Sequence, residues 1–265
     1  VPAYYMEHDL SIPGINKELF QQLNSPDYFT IYPPLAQFIF WLSAKLSPHT
    51  IHGSVFVMKL LIFLSEIGSL VLIKKLLVQF GLPVSRLLLY ALNPLVIIEL
   101  TGNVHLEAVL IFFLLLSILL LTRQRLLLSG TAISISICVK LIPLIFLPAI
   151  LPRLGWKKAL AFYVAISVVT VILFLPLSDE SILNGFRNSI GYYFRKFEFN
   201  ASIYYLVREW GYWFHGYNII QTAGWLLGVV SFLIIMIISF SQWSIVHSPR
   251  RKPQGTNQST INSGP

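Results

Sequence analysis

The sequence predicts an all-α fold, a polytopic transmembrane helical bundle, and three observations predict it. Hydrophobic residues make up 55% of the chain and charged residues only 11%, with a mean hydropathy of +0.71, far from the averages of soluble domains. The runs 55–64, 109–121 and 226–238 are too apolar for the amphipathic helices of a soluble surface. Strictly alternating segments, which a membrane β-barrel requires, are absent. A net charge of +8 would point to nucleic acid in a soluble protein. Here Lys and Arg fall in short loops between apolar runs, where they report topology, and no nucleic-acid partner is expected. The single cysteine, Cys138, has no partner for an internal disulfide.

Each element follows from charge and length. The chain opens at Val1 on a polar stretch, so residues 1–52 read as an outer loop whose upstream first span is missing. Within it, 35–46 is short and apolar and reads as an interfacial helix. Residues 53–241 form the transmembrane domain. The span 55–73 ends at Lys74 and Lys75, which places that end in the cytoplasm. A span outward from Arg86 through 87–100 carries Glu99 to the outer side. Residues 101–105 are a break, and 106–121 returns to Arg123 and Arg125. Segment 126–151 has bases at both ends: Arg123 and Arg125 before it, Arg153, Lys157 and Lys158 after. Two half-helices meeting near Lys140 and Pro143, a re-entrant pair, keep both clusters inside; one tilted span that breaks the charge rule is the alternative. Residues 156–177 run outward, and 178–218, rich in Tyr, Phe and Trp, are long enough for interfacial helices. Residues 219–240 return inward. The tail 242–265 reads as disordered and cytoplasmic.

Ionisable residues in hydrocarbon cost roughly 2.5–3.5 kcal/mol each on insertion scales, so they usually face a cavity. The topology brings Asp27, Tyr28, Tyr32, Glu99, Asn103, His105, Glu107, Arg195, Glu198 and Asn200 to the outer face, with Lys140 aimed at it from the re-entrant turn. The opposite side offers scattered bases and no acid cluster. A polar outer site is therefore expected. Each member has a plainer reading too. Asn103 and Glu107 fit an N-cap and first-turn acid, Lys140 could snorkel, Glu99 could be a helix-end group reaching water, and Tyr32 could belong to an aromatic belt. Glu66, mid-span beside Gly68, reads as a packing or hydrogen-bonded group. His105 and Glu107, at i and i+2, do not share a helix face, so no metal is expected.

The polar residues also carry a resemblance. Residues 25–37, Ser-Pro-Asp-Tyr-Phe-Thr-Ile-Tyr-Pro-Pro-Leu-Ala-Gln, resemble the first outer loop of bacterial polyprenol-phosphate-sugar-dependent mannosyltransferases, of the C-type (GT-C) superfamily of integral-membrane glycosyltransferases. Residues 102–107 (Gly-Asn-Val-His-Leu-Glu) resemble the family's Gly-x-x-His-x-Asp pattern. Residues 139–143 (Val-Lys-Leu-Ile-Pro) resemble its Val-Lys-x-x-Pro turn, and 197–202 its outer-loop Glu/Phe-Asn-x-Ser segment. The resemblance implies a GT-C-like fold in the bacterial inner membrane, active face outward. It implies transfer of a sugar, mannose, from a polyprenyl-phosphate carrier to a glycan or glycolipid acceptor. Donor and membrane lipid are then the partners, and no cofactor is required. Lys140 would bind the carrier phosphate, with Arg195 as a weaker candidate. His105, Glu107, Asn103, Glu99, Tyr32 and Asn200 would line the substrate site. The catalytic base of this superfamily usually lies soon after the first helix, so it is expected upstream of Val1; Glu7 and Asp9 match no family motif. The rival readings are a secondary transporter, although no internal repeat is evident, and a non-catalytic fragment that binds polyprenyl phosphate.

Overall fold

A computed structural model describes residues 20–21, 30–180, 184–185, 187–189 and 202–247, and every element among them is helical. Helix α1, Pro34–Leu46, starts directly after extended Pro33, with proline at the first helical position where its missing N–H is harmless. Its buried residues Ala36, Ile39 and Ser43 follow helical spacing and make one inward face. Helix α2, Ile51–Gln79, is capped by Thr50, whose side chain accepts the Gly53 N–H at 3.2 Å. Its 29 residues are long enough to cross a bilayer.

The outward span expected from Arg86 through residue 100 is not one helix. A 3₁₀ turn, Val84–Leu87, and a single α turn, Leu88–Ala91, are followed by a break and a π-helix, Val96–Gly102, with a 59° bend between the halves. The cause is local. Asn93 Oδ1 accepts the Leu95 N–H at 3.0 Å and the Asn93 carbonyl accepts from Ile97, so Asn93 starts a new helix with Pro94 just behind it. Just before this break Tyr90 donates its hydroxyl to Glu66 Oε1 of α2 at 3.0 Å, which makes Glu66 a hydrogen-bonded group, as expected.

Helices α3 (Glu107–Thr122) and α4 (Leu126–Val139) form an antiparallel hairpin. Its turn carries Gln124 at φ 59°; Arg125 N–H reaches Leu120 O and Gln124 N–H reaches Leu121 O, closing α3 with a Schellman motif. Hydroxyls then fix the pairing. Ser129 Oγ donates to the Ser117 carbonyl (2.8 Å), Ser117 Oγ contacts the Ser129 carbonyl and hydroxyl (both 2.9 Å), and Ser136 Oγ donates to the Leu110 carbonyl (2.8 Å). Small polar residues are the usual adhesive between helices in lipid, where apolar burial gives no drive to associate. Helix α4 is central, with most of its residues buried. On its other side Gly130 meets α5 (Trp156–Phe174) so closely that an added Cβ would lie 2.8 Å from Ala165 Cβ and 2.9 Å from the Phe162 carbonyl.

After α4 the chain turns back. Lys140 is extended (φ −156°, ψ 142°), a 3₁₀ helix covers Ile142–Ala149, and a single turn, Leu151–Leu154, leads to Gly155 (φ 72°) and α5. Lys158, at the start of α5, bonds Gln124 Oε1 at 2.8 Å. Both ends of segment 126–155 therefore stand at one end of the bundle, as the charge pattern predicts, with the returning half mostly 3₁₀ rather than α. Lengths agree: 14 residues of α-helix rise about 21 Å and eight of 3₁₀ plus one α turn about 22 Å. Helix α6, Ser202–His215, lies in the stretch expected to hold interfacial helices, and α7 is Ile220–His247. Asn218 Oδ1 accepts from Tyr204 Oη (2.6 Å) and from the Ile220 N–H (3.0 Å), tying α6 to the start of α7.

Helices α2, α5 with its 3₁₀ extension to Leu177, and α7 are long and apolar enough to span a membrane, yet only 17%, 17% and 11% of their apolar windows are buried within the protein. Side chains such as Phe56, Leu89 and Val171 stand outward. So much exposed apolar surface requires lipid around it. This is a membrane protein.

Candidate functional site

The site is assembled by a backbone departure that the sequence did not announce. Where the π-helix ends, Asn103 N–H bonds Ile98 O (2.8 Å) and His105 N–H bonds Leu100 O (3.0 Å), each five residues back. Val104 between them has φ 60°, a left-handed conformation costing an L-residue roughly 1–2 kcal/mol and rare for a β-branched one. The widened turn and the left-handed residue carry Glu99, Asn103 and His105 to one side of the break. Such strain persists only where its surroundings enforce it, and here Leu100 and Leu106 anchor both flanks in the core with Ala36, Ile39, Ile62 and Val139.

The polar groups form a row. Asn103 Nδ2 donates to Glu99 Oε2 at 3.2 Å. His105 Nε2 stands 3.9 Å from Glu99 Oε2, and His105 Nδ1 stands 3.7 Å from Glu107 Oε2. These separations suit charge attraction when the ring is protonated but are too long for hydrogen bonds. Glu107 Oε1 in turn accepts a hydrogen bond from Lys140 Nζ. The Lys140 side chain is 42% exposed and that of Glu107 27%. Glu107 opens α3 and Lys140 closes α4, so each charge also sits at the helix end whose dipole favours it. The antiparallel hairpin brings the two ends together, opposite the end where Lys74, Lys75 and Arg123 line a common cavity.

Sequence reasoning thus placed Glu99, Asn103, His105, Glu107 and Lys140 at one end, and they are in contact there. Asn103 is not the N-cap it resembled: Leu106 occupies that position without a side-chain cap, and Asn103 holds Glu99 instead. Tyr32 packs edge-on against Phe40, centroids 5.2 Å apart, and its described contacts are within its own segment. Arg195 and Asn200, with Asp27, Tyr28 and Glu198, lie outside the described residues. Among the described residues no group of three or more His, Cys, Asp or Glu is arranged to hold a metal ion. The sequence reading set Lys140 beside these acids but did not name the direct Glu107–Lys140 bond. Its signal was there, because the two residues stand at the far ends of a tight hairpin.

Residues 26–155 match the family model of the MptA_B family, alpha-(1->6)-mannopyranosyltransferase, N-terminal domain. This segment is similar to a mannosyltransferase family. No curated protein and no solved structure matches the chain. The matched range contains the whole row from Glu99 to Lys140, the strained Val104 and all of the α3–α4 hairpin. The family match supports a glycosyltransferase that handles mannose, in agreement with the expectation drawn from the four sequence motifs. The match stops at the glycine before α5, so α5 to α7 are outside it.

Proposed function

We propose that this protein transfers mannose from a polyprenyl-phosphate carrier to a glycan or glycolipid acceptor, at the membrane face where Lys140 lies, and that this face is the outer one of a bacterial inner membrane. The observation that carries the reading is the Lys140–Glu107 pair, continued by His105 and Glu99, inside the segment that matches a mannosyltransferase family. A carrier lipid keeps its tail in hydrocarbon and its phosphate near the interface. An ammonium at a helix break, partly exposed and set at the end of a short helix, suits that phosphate.

The chemistry follows. The acceptor hydroxyl oxygen attacks the anomeric carbon, the bond from that carbon to the phosphate oxygen breaks, and the hydroxyl proton passes to a carboxylate base. Configuration inverts in this single displacement. Lys140 neutralises the negative charge that grows on the departing phosphate, and no metal or cofactor is required for that task. In the resting arrangement Glu107 already holds Lys140, so the phosphate must replace the carboxylate. Glu107 and His105, once released, are placed to hold acceptor hydroxyls. The resemblance to GT-C enzymes implies a base in the first outer loop, soon after the first helix of such an enzyme.

Radiolabelled mannose transfer from a polyprenyl-phosphate donor, measured in membranes carrying the wild type or Lys140→Ala, tests the reading. A fall of about 10²–10³ in rate is expected for loss of one charge-stabilising group. Unchanged transfer in Lys140→Ala would remove the phosphate assignment. Sugar uptake into vesicles that needs no lipid donor would make the protein a transporter instead.

A further inference from the structure

At the end of the bundle remote from Lys140, one cavity of about 500 Å³ is lined by Val71, Lys74, Lys75, Val78, Gln79 and Arg123. Helix α2 supplies all of these but Arg123, which directly follows the last residue of α3. Lys74 and Lys75 lie three and four residues beyond Val71, and Val78 lies seven beyond, so they share one face of α2. Lys74, Lys75 and Arg123 are exposed, and among the described residues none of the three is ion-paired. The helix dipoles ending here do not absorb this charge. Two C-termini contribute about −0.5 each against three full positive charges, leaving about +2.

A second feature leads away from the same cavity. Leu60, Leu64, Ile67 and Val71 are all exposed, and their spacing of four, three and four residues draws a continuous apolar track along α2. From Leu60 to Val71 the track rises about 16 Å. That is half of the roughly 30 Å hydrocarbon core, the depth of one leaflet.

We infer that this face binds an anionic phospholipid, its phosphate seated among Lys74, Lys75 and Arg123 and one acyl chain lying along Leu60, Leu64, Ile67 and Val71. A free phosphate would use the cavity and leave the track idle; the track commits the site to a lipid. The site is independent of the Lys140 cluster and of the reaction proposed for it.

The test uses the full chain in detergent, offered equal amounts of phosphatidylglycerol and phosphatidylcholine, with bound lipid counted by native mass spectrometry. The anionic lipid is expected to be retained about fivefold or more over the zwitterionic one, the equivalent of at least one well-placed cation near an anionic headgroup. Lys74→Gln/Lys75→Gln/Arg123→Gln is expected to bring the ratio close to one, and Lys74→Arg/Lys75→Arg to keep it, which separates lost charge from lost fold. Arg125→Gln/Lys157→Gln removes cations outside the cavity and is expected to leave the ratio unchanged. An undiminished preference in the triple variant would overturn the site. An equal loss in Arg125→Gln/Lys157→Gln would reduce it to diffuse surface charge. Displacement of the lipid by inorganic phosphate as complete as in the triple variant would reassign the cavity to a free ion.

Discussion

Glu107 is held by Lys140 on one oxygen and faced by His105 on the other, so it competes with any phosphate for the ammonium. Glu107→Gln is therefore expected to tighten binding of a polyprenyl monophosphate about fivefold. That is about 1 kcal/mol, the upper range for ion pairs as open to solvent as this one; titration of the purified variant measures it. A weaker affinity would mean that Glu107 orients Lys140 rather than blocking it. Val104 offers a second check. Glycine tolerates φ 60°, so Val104→Gly relieves roughly 1–2 kcal/mol of strain while adding about 0.5–1 kcal/mol of unfolded-state entropy. Because the Val104 side chain also packs against the core, thermal unfolding should fall, but by less than valine-to-glycine usually costs. The chemical identities were legible at this scale, since charge in an apolar chain must have a reason. The left-handed valine was not, because nothing in Asn-Val-His distinguishes it from extended backbone.

Among the elements, α4 shows most clearly what packing demands. Its serines bond carbonyls of α3 and α5, and Gly130 admits α5 to near backbone contact. Gly130→Leu is expected to push α5 away and lower stability by roughly 1–3 kcal/mol, as overpacking does. Ser117→Ala/Ser129→Ala should cost about 0.6–1.7 kcal/mol for each hydrogen bond lost. Thermal unfolding in detergent measures both. The helical runs themselves were readable from apolar length, and the break at Lys140 from Pro143 and the bases flanking residues 126–151. The break at residues 92–95 was equally written in Asn93-Pro94, a cap followed by a proline. Apolarity on both sides concealed it, because hydropathy counts residues and does not see a 59° bend.

For the whole molecule, the charge pattern predicted the layout because membrane insertion sorts Lys and Arg by side. The Lys158–Gln124 bond and the shared cavity of Lys74, Lys75 and Arg123 place these bases together, with Glu107 and Lys140 at the far end. With Cys138 replaced by serine, single cysteines at Lys75, Arg125 and Lys157 are expected to react with a membrane-impermeant maleimide from one side, and a cysteine at Asn103 only from the other. Labelling of Arg125 and Lys157 from opposite sides would instead make residues 126–151 a single crossing.

The tight reversal around Gln124 has a consequence at a distance. Ser117 with Ser129, Leu110 with Ser136 and Glu107 with Lys140 are mirror partners about that corner, so it works like the pivot of a caliper whose jaws are the glutamate and the lysine. Removing one residue there undoes the Schellman closure and leaves the serine pairs and the charged pair out of register. An exposed corner, ordinarily a place where insertions and deletions pass unnoticed, is thus bound to chemistry more than 20 Å away, and its length should prove as intolerant of change as the charged pair itself.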